Sequence, residues 1–166
     1  MIQVYTGNGK GKSTAAFGLA LRAAGNGLKV YIAQFAKGRD YGEIKALRKI
    51  KNIKIEQFGR GCFIKKSPAP KDIMLAKKGL KKVGQVLRKN TYAMVILDEI
   101  NIALKLNLLS LGELLGIIKE NRGAELILTG RYAHPQIIKM ADLVSEIKER
   151  KHYYRKGVKA RRGIEF

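Results

Sequence analysis

Nine residues constrain this chain more than any others: Thr6-Gly7-Asn8-Gly9-Lys10-Gly11-Lys12-Ser13-Thr14. The apolar segment Ile2–Tyr5 precedes them, and Phe17, Ala20, Leu21 and Ala24 recur behind them at helical spacing. A strand that turns into a helix through glycines can aim successive backbone N–H groups at an anion, and the helix start adds its dipole. Lys12 supplies a compact positive charge, and the Ser13 hydroxyl suits the shell of Mg²⁺ or Mn²⁺. Gly7, Asn8, Gly9, Lys10, Gly11, Lys12, Ser13 and Thr14 are therefore the expected ATP-binding loop, with Lys12 the expected catalytic cation. Thr6 stands where the usual pattern carries its leading glycine. The competing reading is an ordinary glycine turn between strand and helix.

The rest of the chain alternates in the same way. Strands are predicted over Ile2–Tyr5, Lys29–Phe35, Ile53–Phe58, Ala93–Leu97, Glu125–Leu128 and Leu143–Ile147. Helices are predicted over Ser13–Ala24 and Glu43–Ile50, along the lysine-rich segment 72–89, around Leu111–Ile118, and from Pro135 to about Ala141. Gly59–Pro70 reads as a loop. Such alternation predicts a single three-layer α/β domain over residues 1–166, P-loop NTPase-like (RecA-like), with a mostly parallel sheet. Ligands of such sheets bind beyond the carboxyl ends of the strands.

A second motif ends one of those strands. Met94-Val95-Ile96-Leu97-Asp98-Glu99 is an apolar run closed by two acids, the layout in which one carboxylate holds Mg²⁺ and the other acts on water or metal. Ser13, Asp98 and Glu99 are the expected metal residues, and Glu99 the second expected catalytic residue. Thr129-Gly130-Arg131 closes another strand and can aim Arg131 at phosphates, or be a plain turn. His134 and His152 lack the spacing of a zinc site, Cys62 has no evident base beside it, and no serine nucleophile elbow occurs.

Charge points elsewhere. The chain carries 34 Lys+Arg against 13 Asp+Glu, a formal net charge of +21, which invites a nucleic-acid reading. Counting by segment weakens it. Residues 37–90 hold 17 basic and four acidic groups, whereas 91–147 hold five and seven. Much of the excess lies on a helix whose apolar side is Ile73, Ala76, Leu80, Val83 and Leu87, with Lys77, Lys78, Lys81 and Lys82 largely opposite. That is the pattern of a solvated lysine face, and no aromatic residues interleave with it to stack bases. No apolar run reaches membrane-spanning length, and Met1–Thr6 lacks a signal layout. With one cysteine, the expectation is a cytoplasmic protein without membrane or nucleic-acid partners.

The residues from Tyr5 to Gly18 resemble the first block of the P-loop corrinoid adenosyltransferases. Further blocks agree in order: Gln34–Gly38, Gly42-Glu43, Val95–Glu99, Leu128–Arg131, Ala141–Glu146, Lys151-His152 and the terminal Gly163-Ile164-Glu165-Phe166. The resemblance implies transfer of the 5′-deoxyadenosyl group of ATP to the Co(I) of a corrinoid, cob(I)alamin or cobyrinic acid a,c-diamide, with release of triphosphate. It further implies a triphosphate lying in reverse orientation in the loop, Ser13 and Glu99 in the metal shell, a homodimer, and a flavodoxin-like or other reductase as partner. Some members carry a Phe-x-Trp pair that displaces the lower axial ligand of the corrinoid. Here Cys62, Phe63 and Ile64 occupy that stretch, and the chain has no tryptophan. These three are the expected corrinoid-contacting residues. The chain begins at strand one, without the N-terminal extension that some members place near the corrinoid. Two other readings compete: a basic RecA-like ATPase that binds nucleic acid, and a small nucleotide kinase, for which no lid is evident.

Overall fold

The alternating apolar runs assemble into one sheet. The computed structural model describes residues 1–39, 41–61, 64 and 67–165. Its strands are β1 (Ile2–Thr6), β2 (Val30–Phe35), β3 (Ile53–Phe58), β4 (Met94–Asp98), β5 (Glu125–Thr129) and β6 (Leu143–Glu146). They lie in the order β3-β2-β4-β5-β1-β6, every neighbouring pair parallel. The helices are α1 (Lys12–Gly25), α2 (Gly42–Leu47), α3 (Pro70–Lys89), α4 (Ile100–Lys105), α5 (Leu111–Ile118) and α6 (Pro135–Met140). A short 3₁₀ turn, Tyr153–Lys156, follows β6.

Successive strand residues point to opposite faces, so the sheet has two apolar surfaces to cover. Val30, Ile32, Met94 and Ile96 pack with Ala16, Phe17 and Ala20 of α1 and Ile44 and Leu47 of α2. Tyr31, Ala33, Phe35, Val95 and Leu97 pack with residues of α3, α4, α5 and α6. The result is the expected three-layer P-loop NTPase-like architecture. β2 is buried along its whole length, as a strand inside such a sheet must be. β6 is the exception: it stands at the sheet edge with all four residues exposed.

The largest departure from the predicted elements is α4. Sequence patterning assigns nothing to Ile100–Lys105, because two turns are too short to show a period. In the structure this segment starts directly after Glu99 and buries Ile100, Asn101 and Ala103. α2 also stops at Leu47, before the expected Ile50. α3 behaves as its pattern requires. Ala76, Leu80, Val83 and Leu87 are buried, while Lys77, Lys78 and Lys81 are exposed. Its start is fixed by Asp72, which accepts the Ala69 N–H (2.9 Å) and a two-point contact from Arg60 (2.5 and 2.7 Å). The Arg60 guanidinium holds the Asp72 carboxyl below the usual carboxylate range, and the pair ties the segment after β3 to α3.

All-parallel pairing sends every strand's carboxyl end to one side of the sheet. The loops after β1, β2, β4 and β5, together with Ile64 and the residues after β6, meet there. Among the described residues, no helix is long and apolar enough to cross a membrane.

Candidate functional site

A cavity of about 1010 Å³ opens at those strand ends. That is at the upper end of the roughly 300–1,000 Å³ of small-molecule sites. Gly9, Lys10, Gly11, Lys12, Ser13 and Thr14 form one wall. Gly11 is the N-cap of α1 and has no side chain to offer, so the first-turn N–H groups of the helix receive no side-chain cap. Unsatisfied donors at the positive end of a helix dipole are a ready anion site.

Not every glycine in the loop serves that purpose. Gly7 has φ +96°, and a Cβ there would come within 2.5 Å of the Ile147 carbonyl oxygen. The Gly9 N–H already donates to that same oxygen at 2.7 Å, and the Ile147 N–H donates to the Thr6 carbonyl at 2.8 Å. Gly7 and Gly9 thus let the end of β6 press against the loop. Asn8 is exposed at the turn, and the cavity wall begins at Gly9.

Lys12 is buried, with 8% of its surface exposed, and its ammonium donates to the Gly9 carbonyl at 2.6 Å. Burial and the Arg131 cation pull its pKa below the ordinary lysine value, with Glu99 opposing them. Arg131 lies on the same cavity wall. Lys37, given no role by sequence reasoning, joins them: its ammonium pairs with Glu99 at 2.9 Å. Burial opposes the Lys37 charge, but Asp98 and Glu99 outweigh it and its pKa is raised. Lys12, Lys37 and Arg131 therefore line the cavity together with Glu99, which is only partly exposed, and Lys10, Glu43 and Glu165 line it as well. Lys37 is placed by its loop. Ala36 has φ +55°, and a Cβ on Gly38 would come within 2.3 Å of the Gly59 carbonyl oxygen. The turns after β2 and β3 are thus in backbone contact.

Asp98 sits differently from Glu99. It is fully buried, accepting from Gln34 Nε2 (2.8 Å) on one oxygen and from Thr129 Oγ1 (2.7 Å) on the other. The Thr129 hydroxyl also accepts the Glu99 N–H at 3.0 Å, while Glu99 is held at φ +59°. Gln34 in turn accepts from Gln57 at 2.8 Å, and Gln57 takes a donor from Arg48 at 3.2 Å. One hydrogen-bonded row thus runs across β5, β4, β2 and β3 and fixes Glu99 at its turn. Thr129→Val keeps the shape but leaves a buried Asp98 oxygen unpaired. We expect it to lower stability by about 1–3 kcal/mol, read from the urea midpoint. A variant as stable as the parent would contradict the role given to this row.

Of the residues expected to contact a second substrate, Ile64 lies on the cavity wall and packs against the core. Cys62 and Phe63 lie outside the described residues. The cavity also has an apolar lining: Phe17, Leu21, Leu47, Ile50 and Leu106. His152, Gly163, Ile164 and Glu165 complete the wall, a contribution of the C-terminal segment that sequence reasoning missed. Among the described residues, no group of three or more His, Cys, Asp or Glu forms a metal cluster. Of the oxygen donors that line the cavity, the Ser13 hydroxyl and the Glu99 carboxylate suit Mg²⁺, which takes few protein ligands and completes its shell with phosphates and water.

Fold and site together define an α/β protein of the P-loop NTPase-like class, with a cationic cavity at its strand ends. The family model described as ATP:corrinoid adenosyltransferase BtuR/CobO/CobP matches residues 1–166. The chain is 37% identical over 169 residues to the corrinoid adenosyltransferase of Pseudomonas aeruginosa, covering 100% of this chain and 83% of that one. It is 36% identical over 171 residues to that of a Sinorhizobium species (100% and 80%). It is 34% identical over 167 residues to that of Escherichia coli K12 (100% and 85%). This chain belongs to the ATP:corrinoid adenosyltransferase family. Nothing in these matches supports the nucleic-acid ATPase alternative.

Proposed function

We propose that the chain transfers the 5′-deoxyadenosyl group of ATP to the Co(I) of a corrinoid, the activity for which its family is named. The observation that carries this reading is the make-up of the cavity. It combines a cationic, uncapped helix start with an apolar lining that includes Phe17, Leu21, Leu47, Ile50 and Leu106. The first suits a triphosphate and the second a large flat co-substrate.

The chemistry asks little covalent work of the protein. The Co(I) electron pair attacks C5′ of ATP, the C5′–O bond breaks, and the electrons leave with triphosphate. The nucleophile arrives with the corrinoid, so no activated serine or cysteine is required. The chain's part is to hold ATP in line and to neutralise charge growing on the leaving group. In this reading the first-turn N–H groups of α1, with Lys12, Lys37 and Arg131, hold the triphosphate. Ser13 and Glu99 would hold Mg²⁺, which would supply further charge neutralisation to the leaving group. Asp98, with both oxygens already hydrogen-bonded, suits the positioning of Glu99 better than direct coordination. Ile64, with the adjacent Cys62 and Phe63, is assigned to the corrinoid side.

The finer parts of the reading are a cytoplasmic setting, a flavodoxin-like or other reductase that supplies Co(I), and a homodimer. The single cysteine is in keeping with a reducing compartment. Leu143 and Val144, exposed on the edge strand β6, offer a surface to a second copy.

The test is anaerobic. Protein, Mg·ATP and chemically reduced cob(I)alamin are mixed, and the Co(I) absorbance and the phosphate products are followed. We expect a light-sensitive Co–C product with one intact triphosphate released per turnover. Release of orthophosphate with no loss of Co(I) would sink the transfer reading in favour of an ATPase.

A further inference from the structure

The last residues of the chain return to the glycine-rich loop. The Lys10 ammonium donates to Tyr153 Oη (2.9 Å), to the Ile164 carbonyl (3.1 Å) and to Glu165 Oε1 (3.1 Å). An ammonium has three N–H donors, so all three are engaged by the C-terminal segment. The Glu165 carboxylate is engaged to the same degree. It accepts from Lys10, from the Tyr153 hydroxyl, from the Arg161 N–H at 2.6 Å and from the Arg161 guanidinium. Arg161 also stacks over the Tyr153 ring, 4.9 Å from its centroid. His152, Gly163, Ile164 and Glu165 then face the cavity.

We propose that Glu165 is a positioning residue for the phosphate loop: acting through Lys10, it latches the C-terminal segment across the cavity as the wall that completes the nucleotide site. The inference rests on the nucleotide site proposed above and deepens it. It changes the reading of Lys10, which anchors the latch instead of contacting phosphate. Charge explains why a carboxylate is needed. Residues 150–164 contain no acid but seven Lys and Arg, and they must lie against a loop that carries Lys10 and Lys12. Without Glu165 these like charges repel. Four donors leave this carboxylate without a free lone pair for a metal or a substrate proton, so its role is to hold.

Mg·ATP affinity, measured with a fluorescent ATP analogue in the absence of corrinoid, provides the test. Trypsin cleavage after Arg161 and Arg162 is followed in parallel. We expect Glu165→Ala to weaken binding about tenfold, within the usual range of coupling between a closing element and its ligand. The thermal midpoint should hardly move, cleavage should be faster, and ATP should no longer slow it. Glu165→Gln, which keeps the shape and loses the charge, should fall between parent and Ala. Lys10→Ala should weaken binding to the same extent, and the double variant should be no worse than either single one. Equal ATP binding by parent and Glu165→Ala, or losses at Lys10 and Glu165 that multiply, would overturn the latch alone. A parent chain that fails to bind Mg·ATP would overturn the nucleotide site as well.

Discussion

Lys12→Ala should reduce adenosyl transfer by about 10²–10³-fold, the usual cost of removing one preorganised group aimed at developing charge. The loss should fall mainly on the single-turnover rate. Arg131 and Lys37 remain to bind the ground-state triphosphate, whereas charge on the bridging oxygen grows only as C5′–O breaks. The fold should survive. Lys12 is 8% exposed, yet it belongs to neither apolar cluster, and among the described residues its ammonium hydrogen-bonds only the Gly9 carbonyl. In the variant that carbonyl faces the cavity, where water can replace the lost donor. Rates measured anaerobically after mixing with cob(I)alamin, together with a thermal midpoint, separate the two effects. A variant that transfers at the parent rate would remove Lys12 from the reaction. A collapsed midpoint would show its burial to be structural.

That the loop suits an anion is legible in its glycines and its Gly-Lys-Ser close, because the chemistry lies in consecutive residues. The sheet was legible for a similar reason. Runs such as Val30–Phe35 and Met94–Leu97 are apolar on both faces, and only a strand between two helical layers buries both. What remained hidden depends on contacts between distant segments. Lys37 lies 62 residues from Glu99, and its role follows from a backbone contact between Gly38 and Gly59 that no spacing predicts. Thr129 lies in a noted strand-end motif, but its hydroxyl matters through Asp98 and the Glu99 N–H. Lys10 sits in the motif, but its hydrogen-bond partners lie at the other end of the chain, where no motif spacing points. The charge that first suggested nucleic acid proved the least informative feature. On α3 it is the exposed side of an amphipathic helix, while seven basic residues of the tail flank a single latch carboxylate.

Gly7→Ala should be a severely damaging single-methyl change, for a reason separate from phosphate. At φ +96° an L-residue pays about 1–2 kcal/mol in backbone strain. The new methyl would also meet the Ile147 carbonyl oxygen at 2.5 Å and the Ile147 nitrogen at 2.8 Å. Neither is the free end of a side chain, so the loop or the end of β6 must shift. Shifting breaks the Gly9 N–H to Ile147 bond and the Ile147 N–H to Thr6 bond, each with a net worth of about 0.5–1.5 kcal/mol. The sum is about 2–5 kcal/mol, enough to move the urea midpoint well below the parent and to loosen β6, which pairs in the sheet with β1 alone among the described strands. Gly116→Ala is the matching control. It lies mid-helix in α5, is exposed, and a Cβ there meets nothing within 4 Å. It should therefore raise stability by about 0.5–1 kcal/mol through the unfolded chain and leave transfer unchanged. The two variants add the same atom, so opposite shifts in their midpoints measure the close approach of β6 to the phosphate loop. Equal shifts would mean that the approach carries no energetic weight.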